Sequence, residues 1–292
     1  MSFSSEVKDE LAKRISPARH CQIAELAAIM NFCGQYGRDE NGGYLIGFQT
    51  ENETVVRKGF TLLKKTYNID KGSVLSEEEI FGLLQKLGNL EEPVSRLLIK
   101  NACCKRAFLR GAFLSVGSMS DPAKGYHLEF ACTDRRKAEQ LREVMEAFDI
   151  ESKIILRKKY HVVYLKEGAG IVDILNVFEA PVSLMNLENL RILKEMRNSV
   201  NRRVNCETAN IAKTVNAAAR QVEDIELLRA RGGFQNLPEA LREMAEIRLE
   251  NPDAPLKELG ELFNPPIGKS GVNHRLRRLS QLAEEIREKE AF

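Results

Sequence analysis

The stretch Ala24–Gly34, which reads AELAAIMNFCG, sets the architecture that we predict for this chain. A second stretch, Ala107–Ser118, reads AFLRGAFLSVGS and places small residues and glycine in the same order. Small residues in the middle of two helices let their backbones pack face to face at close range. A hairpin-like segment and then a helix follow each stretch. We therefore predict an internal duplication in residues 1–180, with the two helices paired at its centre.

The rest of residues 1–180 mixes strand and helix periodicity. The predicted first hairpin pairs residues 42–50 with residues 53–57. Further strands are predicted at 126–132, 152–157 and 160–165. Helices are predicted at 59–66, 77–87, 134–148 and 168–178. Both element types within one region predict an α+β fold.

Beyond residue 180 no segment has strand periodicity, and we expect an all-α C-terminal part. Residues 181–231 have a helical composition rich in amides and read as a helical linker that ends near Gly232-Gly233. Short helices at 238–250 and 255–263 and a third from Ser270 predict a helix-turn-helix module, with a proline-rich turn between the last two. The predicted domains are a first repeat at 1–95, a second repeat at 96–180, the linker at 181–232 and the helix-turn-helix domain at 233–292.

The last helix begins with KSGVNHRLRRL, residues 269–279, which carries four positive charges and no acid. Val272, Leu276, Leu279 and Ala283 form one apolar stripe. A short helix that is apolar on one side and basic on the other suits the major groove of DNA. An ordinary three-helix bundle with a solvated basic face is the alternative, but the acid-rich flanks favour a nucleic-acid face. The candidate DNA contacts are Lys269, Ser270, Asn273, His274, Arg275, Arg277, Arg278 and Gln281.

These candidates divide by expected role. Asn273, His274, Arg277 and Arg278 are expected at base edges or nearby phosphates. Lys269, Arg275 and the Ser270 hydroxyl are expected to hold the backbone. Ser270 is also expected to cap the first turn of the helix.

The paired central helices resemble the LAGLIDADG helices of homing endonucleases. In that family an acidic residue just before the terminal glycine of each helix holds the catalytic metal beside the DNA. The matching positions here are Cys33 and Val116, so both carboxylates are missing. Because Mg²⁺ prefers oxygen ligands, we expect an inert nuclease fold without a metal. An active endonuclease is the alternative that these two residues argue against.

The chain as a whole resembles the WhiA family of bacterial regulators. The resemblance rests on Lys269–Arg277 and on Phe3–Leu11, Asn205–Asn210 and Leu256–Glu261. It implies a sequence-specific DNA-binding regulator of Gram-positive bacteria, tied to cell division and chromosome segregation in some lineages and to sporulation genes in others. A third function class is a scaffold that binds DNA mainly non-specifically and whose N-terminal domain binds a regulatory protein, or a small molecule in the former active-site cleft. Sequence-specific DNA binding and this partner role are compatible.

Three further clusters are weaker candidates. Lys158 and Lys159 lie at a hairpin turn and Arg202 and Arg203 lie in the linker, where each pair either contacts the DNA backbone or is solvated surface. His20, Cys21, Cys103 and Cys104 match across the duplication and suggest zinc. Structural zinc sites, however, usually separate paired ligands by two to four residues, so we interpret this group as buried thiols and expect no metal.

Composition sets the remaining bounds. The 292 residues are 43% hydrophobic and 29% charged, which is typical of a soluble globular protein. The six cysteines show no CxxC spacing, which fits reduced thiols, and no signal-peptide or membrane-spanning segment is apparent. We therefore expect a cytoplasmic, nucleoid-associated protein. No nucleotide-binding glycine loop or catalytic histidine arrangement is present in the sequence, so we expect no cofactor and no enzyme.

Overall fold

A computed structural model describes residues 2–290 and confirms the predicted α+β fold class. The chain divides into two compact units, Met1–Glu195 and Met196–Phe292. The extreme ends of the first and last predicted domains, residues 1 and 291–292, lie outside the described residues. The finer division into two repeats, a linker and a C-terminal domain stays a prediction.

The N-terminal unit contains two successive segments that each run helix, strand, strand, helix, preceded by helix α1 (Phe3–Lys13). The first segment comprises α2 (Arg19–Cys33), β1 (Gly34–Arg38), β2 (Tyr44–Phe48) and α3 (Glu53–Tyr67), and α4 (Glu77–Leu87) follows it. The second comprises α5 (Ala102–Val116), β3 (Gly117–Met119), β4 (Leu128–Cys132) and α6 (Arg135–Glu146), followed by β5 (Lys153–Arg157), β6 (Tyr160–Leu165) and α7 (Gly168–Phe178). The element order therefore repeats, as the sequence predicted.

The two segments build unequal sheets. Strands β1 and β2 form an antiparallel pair, whereas the second segment forms an antiparallel sheet in the order β3-β4-β6-β5. The predicted strand at 53–57 is wrong, because these residues form the first turns of α3. The side chain of Asn52 caps that helix by accepting a hydrogen bond from the Thr54 amide. Packing outweighs the strand preference of the β-branched residues 54–56. Val55 and Leu62, which lie on the same face of α3, are both fully buried.

Helices α2 and α5 pack closely, and glycine makes this possible. A Cβ atom on Gly111 would lie 2.5 Å from the carbonyl oxygen of Glu25 and 2.9 Å from the Ala28 Cβ. At the helix ends, a Cβ on Gly34 would lie 2.5 Å from the Met30 oxygen, and one on Gly117 would lie 2.6 Å from the Phe113 oxygen. Glycine is therefore required where each helix turns directly into a strand.

A buried ionic cluster lies beside this helix pair. The Glu25 side chain is fully buried, and its carboxylate lies 3.1 Å from Lys58 Nζ and 3.2 Å from Arg110 Nε. Burial lowers the pKa of Lys58, and Glu25 opposes that shift. Lys58 also donates to the carbonyl oxygen of Leu11, and Arg110 donates to that of Phe178. The cluster thus connects α1, α2, α3, α5 and the end of α7.

Helix α8 (Pro181–Ala230) follows, and the C-terminal unit contains its second part. A 3-10 turn (Gly233–Asn236) precedes α9 (Glu239–Glu250), α10 (Leu256–Glu261) and α11 (Lys269–Glu290). Ile225 and Leu228 of α8 are buried in the same apolar core as Met244, Leu259 and Leu276. The end of α8 therefore completes the core of the three shorter helices. The side chain of Leu262, just after α10, is 53% exposed.

Candidate nucleic-acid interface

Helix α11 has the two faces that the sequence predicted. Val272, Leu276, Leu279 and Ala283 are each at most 1% exposed. The opposite side carries the exposed candidates Lys269, Ser270, His274, Arg277, Arg278 and Gln281, whereas Asn273 and Arg275 are half-buried.

The start of α11 differs from the prediction. The carbonyl oxygen of Gly268 accepts hydrogen bonds from the amides of Gly271 and Val272. Gly268 therefore occupies the position before the first turn, and Ser270 is the second residue of the helix. The predicted cap at Ser270 is wrong, and its hydroxyl remains exposed on the first turn, where a helix can approach a phosphate.

The turn before α11 is fixed by close backbone packing. The Ile267 amide donates to the Gly260 carbonyl oxygen at 2.9 Å. A Cβ atom on Gly260 would lie 2.2 Å from the Ile267 oxygen, so a larger residue would displace the turn. This contact joins α10 to α11 and completes a helix-turn-helix arrangement.

Arg248 of α9 holds the connection that leads into α10. Its guanidinium is buried and donates to the carbonyl oxygens of Asn251, Pro252 and Ala254 at 3.4, 3.3 and 2.7 Å. It also donates to Oε1 of Gln221 on α8 at 2.8 Å. Burial lowers the pKa of Arg248. Sequence reasoning missed this residue because an arginine on a charged helix gives no sign that it points inward.

Arg275 is bound within its own unit. Its guanidinium carbon lies 4.8 Å from the centre of the Phe263 ring, and its Nη1 donates to the Ala240 carbonyl oxygen at 3.4 Å. The same nitrogen lies 3.9 Å from a carboxylate oxygen of Glu243. These contacts hold α11 against α9 and against the turn that follows α10, so Arg275 stabilises the helix that carries the candidate surface.

Unlike the half-buried Arg275, Arg277 and Arg278 are exposed to solvent. Arg278 donates to the side-chain oxygen of Gln281 at 3.1 Å, which pairs two exposed candidates. Arg277 has no hydrogen bond or ion pair with any of residues 2–290. The guanidinium groups of Arg277 and Arg278 and the side-chain amide of Gln281 lie on one exposed face. Such a surface suits the edges of guanine bases and phosphates.

A groove of about 350 Å³ lies beside the first turn of α11. Its lining includes Lys213 of α8, Lys257 of α10, and Lys269 and Asn273 of α11. Three ammonium groups along one groove suit a phosphate chain. Sequence reasoning missed Lys257, whose helix is otherwise acidic and which lies 4.0 Å from Glu261.

The weaker candidates are exposed. In α8, Arg202 Nε donates to the carbonyl oxygen of Asn198 at 3.3 Å, and Arg203 lies 3.2 Å from Glu207. Every residue from 195 to 217 of α8 is exposed. Lys158 and Lys159 lie at the tip of the β5-β6 hairpin and are exposed.

The positions that match endonuclease metal ligands carry different chemistry. Cys33 is buried, and its thiol donates to the Ile29 carbonyl oxygen at 3.3 Å. Burial raises the pKa of Cys33, and the hydrogen bond to Ser115 and the charge of Lys8 offset only part of that rise. Val116 at the end of α5 is half-buried. A thiol and a valine side chain therefore occupy the two positions that the resemblance matches to metal-binding carboxylates.

His20, Cys21, Cys103 and Cys104 lie together at the other end of the paired helices. Their ligand atoms all lie within 4.8 Å of one another. Cys103 and His20 are exposed, so the interpretation as buried thiols fits only Cys21 and Cys104.

The N-terminal unit has a duplicated LAGLIDADG-like organisation, and the C-terminal unit has a helix-turn-helix organisation. Three family descriptions match in chain order: the WhiA N-terminal LAGLIDADG-like domain over residues 19–78, the WhiA LAGLIDADG-like domain over 105–197, and the WhiA C-terminal HTH domain over 200–283. The chain belongs to the WhiA family.

Full-length relatives agree. The chain is 50% identical to the "Probable cell division protein WhiA" of Lachnoclostridium phytofermentans, over 99% of this chain and 100% of that one. It is 46% identical to the protein of that name in Alkaliphilus oremlandii, over 99% and 98%. The crystal structure of "full-length DUF199/WhiA from Thermatoga maritima" is similar with a TM-score of 0.59 and 27% identity, over 98% of this chain and 99% of that one.

Within residues 2–290, no helix combines the length and the apolar composition that crossing a membrane requires.

Proposed function

We propose that this protein is a sequence-specific DNA-binding regulator of transcription whose recognition element is α11. The main support is the exposed face of α11 on the side opposite the buried residues Val272, Leu276, Leu279 and Ala283. That face presents two arginines, a histidine and a glutamine, and no acidic residue occurs from 269 to 283. In this proposal the first turns of α11 lie in the major groove, where Arg277 and Arg278 read base edges.

The groove beside α11 would carry the phosphate contacts. Lys213, Lys257 and Lys269 line it and supply charge, and the exposed Ser270 on the first turn of α11 would add a hydroxyl beside it. Arg202, Arg203, Lys158 and Lys159 would add backbone contacts that increase affinity without choosing a sequence.

The cellular role that we propose follows the relatives. Curated proteins with full-length similarity are named as probable cell division proteins. A DNA-binding regulator in that role would act on the nucleoid, on genes of cell division and chromosome segregation, and of sporulation in some lineages.

Replacing Lys269 with glutamine is expected to weaken binding to target and unrelated DNA by the same factor, because phosphate contacts carry no sequence information. The slope of log K against log salt concentration should fall in magnitude by about one. Fluorescence anisotropy at several salt concentrations measures both effects. Lys289→Gln near the far end of α11 is the control, with an unchanged slope expected. A loss confined to the target duplex would assign Lys269 to base recognition instead.

We further propose that the endonuclease-like unit does not cleave DNA. The support is the pair Cys33 and Val116, which offers Mg²⁺ no carboxylate, together with the ammonium group of Lys8 near Cys33. Supercoiled plasmid that carries a bound site should stay supercoiled with the full chain and Mg²⁺ or Mn²⁺. Cleavage that stops when EDTA is added would contradict this.

A second function, binding of a regulatory protein, is favoured by strand β5. It lies at the edge of its sheet, and its Ile155 and Leu156 side chains are 44% and 68% exposed. An unpaired edge with exposed apolar side chains is a surface to which another chain can add a strand.

A further inference from the structure

We infer that His20, Cys21, Cys103 and Cys104 form a structural zinc site that joins the beginnings of α2 and α5. Each helix supplies two neighbouring residues, and the duplication brings the two pairs side by side. The inference does not depend on DNA binding.

The distances suit a tetrahedral zinc ion. His20 Nδ1 lies 3.1 Å from Cys104 Sγ and 3.3 Å from Cys21 Sγ. Zinc binds sulfur at about 2.3 Å and histidine nitrogen at about 2.0–2.1 Å, so a tetrahedron has S···N edges of about 3.6 Å and S···S edges of about 3.8 Å. Because all four ligand atoms already lie within 4.8 Å of one another, small side-chain movements would complete this geometry.

The ligand types also point to zinc. Three sulfurs and one imidazole nitrogen are the Cys₃His set of closed structural zinc sites, whereas Mg²⁺ and Ca²⁺ need oxygen. Zinc would bind the cysteines as thiolates, and the exposed His20 and Cys103 leave a path for the ion.

The surroundings give the ion a structural role. Cys21, Ala24, Cys104 and Ala107 form a small buried cluster that is separate from the main core. Alanine and cysteine bury little apolar area, so packing alone stabilises this end of the helix pair weakly. A zinc ion would link the two helices about 18 Å from Cys33, twelve residues further along α2.

Structural zinc sites usually separate the two ligands of a pair by two to four residues, whereas the residues of each pair here are adjacent in sequence. Neighbouring residues on a helix point about 100° apart, which disfavours two ligands from one such pair alone. Here a fixed second helix approaches from the side, so both members of each pair face the same point.

Metal analysis of the full chain, purified without a polyhistidine tag and under reducing conditions, tests the inference. We expect about one zinc per chain by mass spectrometry. Cobalt replacing it should give the visible absorption of a tetrahedral site with thiolate ligands. Cys103→Ser, which changes an exposed residue and should fold, is expected to lose both signals. Cys206→Ser, which removes an exposed cysteine on α8, should keep both.

Three results would overturn the inference. The first is that folded wild-type protein contains no zinc after incubation with zinc. The second is a disulfide between two cysteines of this cluster in protein kept reduced. The third is an equal zinc content in Cys103→Ser and wild type. Folding of each variant is checked by its far-ultraviolet circular dichroism. Chelation of zinc should also lower the melting temperature reported by tyrosine signals, because all six tyrosines lie in residues 36–164.

Discussion

Replacing Glu25 with alanine is expected to lower the free energy of unfolding of the N-terminal unit by about 3–5 kcal/mol. Lys58 would remain buried without its carboxylate partner, and Arg110 would keep only Glu179, whose carboxylate lies 3.0 Å from its Nη1. Urea unfolding followed by tyrosine fluorescence isolates this unit, because the chain has no tryptophan and all six tyrosines precede residue 196.

The matched control is Glu143→Ala, since Glu143 forms an exposed ion pair with Arg96 at 3.0 Å. Exposed pairs contribute about 0–1 kcal/mol, so this variant should unfold near wild type. Replacing Glu25, Lys58 and Arg110 together with apolar residues should recover much of the loss, because no unpaired charge remains buried. A Glu25→Ala loss equal to that of the control would contradict the buried cluster.

Replacing Arg277 and Arg278 together with alanine is expected to remove most of the preference for the target sequence. Each arginine that reads a guanine contributes about 1–3 kcal/mol, which corresponds to roughly 5- to 150-fold in affinity. Stability should change little, because both side chains are exposed and Arg278 donates its hydrogen bond to the exposed Gln281. Comparison of dissociation constants on target and scrambled duplexes measures the effect. The control Arg96→Ala/Arg135→Ala removes the same charge from exposed positions of the N-terminal unit.

Local patterns predicted those features that depend on local spacing. The stripe from Val272 to Ala283 and the glycines that end α2 and α5 follow from helix periodicity and backbone sterics. The predicted strand at 53–57 is wrong because β-branched residues favour strands locally, whereas burial of Val55 in the core favours the helix.

Other features depend on contacts between residues far apart in the chain. Arg248, Lys257 and the Glu25 cluster gain their roles only when separate helices meet. Helix periodicity predicts that Arg275 is exposed with the other basic residues of α11. Its guanidinium instead packs against the ring of Phe263. By contrast, the match of His20, Cys21, Cys103 and Cys104 across the duplication indicated a shared location, and their ligand atoms lie within 4.8 Å of one another.

The ratio of target to non-target affinity tests whether α11 determines the sequence preference. This ratio is compared between wild type and the Arg277→Ala/Arg278→Ala variant. Duplexes selected by the wild-type protein from a random pool provide the target, and anisotropy at one fixed salt concentration provides both constants. We expect the ratio to fall at least tenfold in the variant and to stay unchanged in the Arg96→Ala/Arg135→Ala control. An unchanged ratio in the folded Arg277→Ala/Arg278→Ala variant would show that sequence choice lies elsewhere in the chain.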